Sequence, residues 1–318
     1  MPEPSLNHRA AGLVEQITAL ADDLRVRSRT LPGGGRVLDF GVETAGGLEA
    51  GRWLARVSMS GLGDVSLAAG DLGGVGWPLV QVATDRPLAA CLLSQYAGWQ
   101  ISVGKFFGMG SGPMRAAAGR EELFETLGYR ETPTSCVGVL ESGRLPDDAV
   151  FEFLAERTGI PARDTVLLVA PTASAAGNFQ VVARSVETAL HKLFELHFDV
   201  SRIESSFGTA PLAPVAADDL TGIGRTNDAI LYGGRVTLWV RGDDESIAAI
   251  GPQVPSVASA VHGRPFLEIF EDAGRDFYAI DPHLFSPAEV VFQNLDSGRV
   301  HQFGRVEPEI LRQSFGTG

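Results

Sequence analysis

From Gln180 to Leu196 the sequence runs Gln-Val-Val-Ala-Arg-Ser-Val-Glu-Thr-Ala-Leu-His-Lys-Leu-Phe-Glu-Leu. At about 100° per residue, Val182, Val186, Ala189, Leu190 and Leu193 gather on one helical face. Gln180, Arg184, Glu187, His191 and Glu195 fall on the opposite stripe, following spacings of three and four. Arg184 and Glu187 are therefore neighbours, and two chemistries are open to them. On a solvated face they form an i,i+3 ion pair worth a few tenths of a kcal/mol. Spacing alone favours that reading. If the stripe lines a cleft, the guanidinium holds the carboxylate in place, and Glu187 can take a proton from a positioned water. His191 would then stand behind the pair rather than in it.

Two glycine-rich segments are the other places where chemistry could sit. Gly108-Met109-Gly110-Ser111-Gly112-Pro113 precedes a helical pattern starting at Met114, where backbone amides could hold an anion or a carbonyl. The P-loop Lys-Ser/Thr pair is missing, and Pro113 stands where a dinucleotide fingerprint needs its third glycine. Gly222-Ile223-Gly224-Arg225-Thr226-Asn227-Asp228 is similar in kind, and capping of a helix by Thr226 or Asn227 is its plainest reading.

The elements that must position these residues follow from pattern and punctuation. With 38 Gly and 18 Pro among 318 residues, the apolar segments are short and separated by tight turns. Helical patterns run over about 7–29, 46–58, 87–97, 113–127, 146–158, 175–197, 216–230 and 264–273. Strands are expected at Arg36–Phe40, Asp64–Ala68, Leu79–Ala83, Ser135–Leu140, Thr165–Val169, Arg235–Val240 and Glu289–Asn294. Strands and helices do not alternate strictly, so the fold class is α+β, with two mixed α/β domains rather than one doubly wound sheet. Length also favours two domains. The expected division is 1–145 and 146–318, with a crossing point at Leu145–Asp148 and room for further crossings.

Composition removes several function classes. Lys plus Arg number 26 against 39 Asp plus Glu, and the net charge of −13 repels a phosphate backbone, so no nucleic-acid partner is expected. No stretch reaches the roughly 18 uninterrupted apolar residues of a membrane span. The N-terminus is polar, so a cytoplasmic location is expected. Cys91 and Cys136 each lie in an apolar run and read as buried reduced thiols. CxxC and HExxH spacings are absent and the six histidines are scattered, so no metal is expected.

Several blocks together resemble the methenyltetrahydromethanopterin cyclohydrolase family. They are Ser94-Gln95-Tyr96-Ala97-Gly98-Trp99, Phe107-Gly108-Met109-Gly110-Ser111-Gly112-Pro113, Ala170-Pro171-Thr172-Ala173-Ser174, Arg184-Ser185-Val186-Glu187-Thr188-Ala189, Gly224-Arg225-Thr226-Asn227-Asp228-Ala229-Ile230 and Leu284-Phe285-Ser286-Pro287-Ala288-Glu289. They recur in family order across most of the chain. The resemblance implies two α/β domains with a pterin cleft between them, commonly a homotrimer, with no metal, nucleotide or prosthetic group. It implies a tetrahydromethanopterin derivative as substrate, in the one-carbon metabolism of methanogenesis, formaldehyde oxidation or methylotrophy. The family's catalytic arginine and glutamate match Arg184 and Glu187, which turns the pair from a surface contact into a catalytic unit. Gln95, Ser111, Gly112, Thr226, Asn227 and Ser286 are the matching candidates for pterin contacts. Tyr96 stands where archaeal members tend to carry Lys and bacterial ones Tyr, which points to a bacterial member. The chain departs from the pattern at Leu93, where a glycine is common, and at Ala260-Val261, where the family usually has Arg-Asp. That second departure is the feature favouring the alternative, a diverged pterin-binding or carrier protein with little hydrolase activity.

Overall fold

A computed structural model describes residues 5–317. It contains twelve strands in chain order: β1 Arg27–Thr30, β2 Arg36–Asp39, β3 Asp64–Leu72, β4 Val75–Thr84, β5 Trp99–Val103, β6 Phe106–Ser111, β7 Cys136–Glu141, β8 Thr165–Ala170, β9 Ile203–Pro211, β10 Arg235–Val240, β11 Glu289–Asn294 and β12 Val300–Gly304. They form two six-stranded sheets, ordered β1-β2-β8-β7-β6-β5 and β12-β11-β10-β9-β4-β3. Each sheet is mixed. In the first, β2, β8 and β7 run parallel and the rest pair antiparallel. In the second, only β10 and β11 are parallel. Mixed sheets with helices give the α+β class.

The chain divides into two compact units. One draws on Met1–Gly63 and Ala89–Gln180, the other on Asp64–Leu88 and Val181–Gly318. The backbone passes from one to the other three times. Leu145–Asp148, read from the sequence as a crossing point, lies inside the first unit, where it leads into the helix Asp148–Thr158.

In the first unit the central strands are buried on both faces, as parallel strands must be. Val137, Val139 and Leu168 face the helices Leu6–Ala19 and Leu48–Ser58 through Val14, Ile17, Leu54 and Val57. Leu140, Leu167 and Val169 pack on the other side with Val150, Phe151 and Leu154. In the second unit β11 alternates buried and half-buried residues, the sign of a sheet with one covered face. The helix Ser185–Glu195 packs against β9 and β10 there. Its Val186, Ala189, Leu190 and Leu193, at the i, i+3, i+4, i+7 spacing, are all fully buried. At roughly 1.5–3 kcal/mol for each large aliphatic side chain, that stripe seats the helix.

Four expected helices take other forms. The pattern over 175–197 is two helices, Ala175–Val182 and Ser185–Glu195, separated by Ala183 and Arg184. The apolar period persists through the break, which is why period alone reads one helix. The pattern over 113–127 is likewise two short helices, Met114–Ala118 and Glu122–Thr126, divided at Gly119, whose left-handed φ of 55° ends the first. The apolar run 87–97 winds as a π-helix over Leu88–Gln95. The first pattern stops at Leu24, beyond which Arg27–Thr30 is a strand paired with β2.

Candidate active site

Arg184 sits at the break between the two helices, with φ −94° and ψ 9°. Its N–H donates to Val181 O at 3.1 Å, closing the first helix, and its carbonyl accepts from Thr188 N–H at 2.9 Å, opening the second. Glu187 follows in the first turn, where the positive end of the helix dipole favours a carboxylate. The Arg184 Nη1 to Glu187 Oε2 distance is 4.0 Å, and both side chains are only 5% exposed. The stripe opposite the apolar face is thus not a solvated one at this end. Gln180 is also buried and donates to Glu141 Oε1 at 3.0 Å. Burial fades along the helix, where His191 and Glu195 pair at 3.5 Å with side chains 25% and 53% exposed.

The close seat of this turn depends on Gly208 of β9. A Cβ there would lie 2.5 Å from Ser185 Oγ, so any larger residue would push the turn carrying Arg184 and Glu187 off the sheet. Ser185 Oγ and the neighbouring Ser206 Oγ are both buried, with no protein hydrogen-bond partner among the described residues.

The other predicted residues fall in both units. Gln95, Ser111 and Gly112 belong to the first. Gln95 is the fully buried last residue of the π-helix, a winding that recurs at functional sites. Ser111 ends β6, buried, with its hydroxyl 3.5 Å from Val139 O. Gly112 has φ 82°, a left-handed conformation that suits glycine. The glycines around it serve packing: a Cβ on Gly110 would come within 2.5 Å of Met114 Cε, and one on Gly138 would strike Met114 Sδ. The Gly108–Pro113 segment is therefore the end of a strand and its turn, not a phosphate loop.

Thr226, Asn227 and Ser286 belong to the second unit. Thr226 and Asn227 lie inside the helix Asp219–Leu231, not at its cap. Asp218 caps it, with Oδ1 accepting from Thr221 N–H at 2.9 Å. Thr226 Oγ1 donates to Gly222 O at 2.9 Å and Asn227 Nδ2 to Ile223 O at 2.8 Å, which leaves each side-chain oxygen able to accept. Ser286 is fully buried and its hydroxyl has no protein partner among the described residues. Just beyond it, Ala288 N–H donates to Ile230 O at 3.2 Å, tying this segment to the end of the Asp219–Leu231 helix.

Two groups escaped the sequence reading. Lys192, on the same helix as Glu187, is 1% exposed and donates from Nζ to His283 O at 2.6 Å. Burial pulls its pKa down to about 8, against the pull of Asp281. Asp228 is fully buried, and burial pushes its carboxyl up to about 7, although its Oδ1 accepts from Phe266 N–H at 2.8 Å. Spacing marks neither residue, because both depend on partners dozens of positions away. Among the described residues no three His, Cys, Asp or Glu side chains gather as metal ligands would, and no helix is long and apolar enough to cross a membrane. Cys91 and Cys136 are buried thiols.

Comparison with known proteins bears on this arrangement. Residues 5–315 match the family model described as cyclohydrolase (MCH). Proteins named methenyltetrahydromethanopterin cyclohydrolase are similar over nearly their whole length. That of Rhodopirellula baltica is 47% identical, covering 99% of this chain and 96% of the relative. That of Methylobacillus flagellatus is 44% identical, with 98% and 96% covered. That of Methanosarcina barkeri is 42% identical, with 98% of each covered. On a match that takes in both units and every residue of the candidate site, the chain belongs to the cyclohydrolase (MCH) family.

Proposed function

We propose that this protein is a methenyltetrahydromethanopterin cyclohydrolase, which reversibly hydrolyses 5,10-methenyl-tetrahydromethanopterin to the 5-formyl pterin. The observation that carries the reading is the burial of Arg184 beside Glu187, in a chain similar to cyclohydrolases from end to end. The methenyl carbon of such a substrate lies between two nitrogens and shares their positive charge, so it is already electrophilic and its need is a nucleophile. Glu187 takes a proton from the attacking water. Arg184 orients Glu187 and stabilises the tetrahedral intermediate, whose new oxygen is the most electron-rich atom formed. Collapse breaks one carbon–nitrogen bond as the hydroxyl becomes the formyl carbonyl: the proton held on the carboxyl passes to the departing nitrogen, and the hydroxyl proton is released to solvent, balancing the positive charge the substrate brought. A carboxylate also suits a cationic substrate before any bond changes.

Gln95, Ser111, Gly112, Thr226, Asn227 and Ser286 are proposed to contact the pterin through donors, acceptors and close backbone approach. The buried, unpartnered hydroxyl of Ser286 supports its assignment most strongly. A homotrimer in the cytoplasm, serving one-carbon metabolism such as formaldehyde oxidation, completes the reading and rests on family membership. The test mixes purified protein with methenyl-tetrahydromethanopterin and follows loss of the methenyl chromophore. Acceleration over buffer is expected. Binding without acceleration would support a pterin carrier instead, the reading that Ala260-Val261 favours.

A further inference from the structure

Lys192 is one of the largest fully buried side chains in the protein, and its position is unusual for a lysine. It lies five residues after Glu187, and its ammonium leaves the helix to meet a segment ninety residues away. Nζ donates to His283 O at 2.6 Å and to His283 Nδ1 at 2.9 Å, which puts the imidazole proton on Nε2. The segment it meets is braced internally. His283 N–H donates to Asp281 Oδ1 at 3.0 Å, and Ser259 Oγ donates to Asp281 Oδ2 at 2.6 Å. Three residues after His283, Ser286 N–H donates to Leu284 O at 2.8 Å, and the Ser286 hydroxyl is buried without a protein partner among the described residues.

A methionine or leucine would fill the space of Lys192 without the cost of burying a charge. Packing therefore does not account for the lysine. Its geometry does, because an ammonium on a long stem bonds a backbone carbonyl and a ring nitrogen at once, which neither methionine nor leucine can do. The amine still carries its proton at neutral pH, since burial brings it down only to about 8, so both bonds are made under ordinary conditions.

We propose that Lys192 is a positioning residue for the reaction: it clamps the His283–Ser286 segment onto the helix that carries Glu187, and so sets how tightly the pterin is held by Ser286. This rests on the cyclohydrolase reading above. The clamp acts on binding rather than on the chemical step, since Lys192 bonds neither Glu187 nor Arg184.

The test compares wild type with Lys192→Met and His283→Ala in the full chain, measuring turnover of methenyl-tetrahydromethanopterin and amide hydrogen exchange over residues 281–286. In Lys192→Met, which loses both bonds to His283, KM is expected to rise about tenfold, since part of their worth is recovered by packing of the methionine. Turnover number should stay within about twofold, and exchange at Leu284 and Ser286 should quicken. His283→Ala keeps the carbonyl acceptor, so its KM should move less. Unchanged exchange in Lys192→Met overturns the clamp. Faster exchange with KM intact, or a fall in kcat at constant KM, overturns the positioning role. Wild type inert toward the substrate sinks the cyclohydrolase reading separately, and exchange then still decides whether Lys192 holds the segment.

Discussion

Glu49 and Arg52 stand three apart on the helix Leu48–Ser58, just as Arg184 and Glu187 stand three apart at the start of Ser185–Glu195. The first pair makes the better bond. Arg52 Nε donates to Glu49 Oε2 at 2.9 Å and its Nη2 reaches the other carboxylate oxygen, yet the side chains are 32% and 55% exposed. The second pair is 4.0 Å apart and 5% exposed. In water the tighter contact is worth tenths of a kcal/mol, because solvent competes for both charges. Out of water the looser contact involves two desolvated ions, which a fold keeps at a cost and which cluster where chemistry is done. The lesson is that bond quality and burial run in opposite directions here, and that it is burial which singles out the pair proposed for catalysis.

The largest effect that could break this contrast is at Glu187. Glu187→Gln keeps size and shape but removes the proposed proton acceptor, and kcat is expected to fall by about 10²- to 10⁴-fold, read in steady-state turnover. Next is Arg184→Met, which leaves the Glu187 charge buried without its guanidinium. Urea unfolding should show a loss of about 3–5 kcal/mol, partly recovered when Glu187→Gln is added.

Asp228 sharpens the contrast from another side, as a carboxyl buried without an arginine beside it and pushed up to about 7. Its native pKa lies above the usual value, so the folded state holds a proton that the unfolded state releases between about pH 4 and 7. The resulting penalty on stability is complete above pH 7 and relieved as pH falls. Asp228→Asn should therefore be more stable than wild type at pH 8, with the gain fading toward pH 4 in denaturant titrations. A gain independent of pH would mean that the carboxyl is ionised throughout. The smallest effect is at Glu49: Glu49→Gln should cost under about 0.5 kcal/mol and leave turnover unchanged.

Much of this was legible in the sequence. The strands Arg235–Val240 and Glu289–Asn294 are rich in β-branched and aromatic residues, and the structure gives them the same bounds. β9 and β12 were missed: Ser205, Ser206 and Gly208 dilute the apolar signal of one, and His301 and Gln302 that of the other, so sheet pairing overrides local preference. The helix break at Arg184 was invisible because Val182 and Val186 keep the period across it. At the site, spacing established that Arg184 and Glu187 are neighbours but assigned them to solvent, since the opposite side of an amphipathic helix is usually wet. Lys192 was illegible for a different reason, its partner His283 being distant in the chain. The blocks of family resemblance pointed to the pair, where periodicity did not.

The most direct measurement assays Glu187→Gln and Glu49→Gln side by side against methenyl-tetrahydromethanopterin, following the methenyl chromophore under conditions where both variants bind the substrate. Loss of at least about 100-fold in the first, with wild-type turnover in the second, is the predicted result. Near-wild-type turnover in Glu187→Gln would contradict the account, because it would make the buried pair as dispensable as the exposed one.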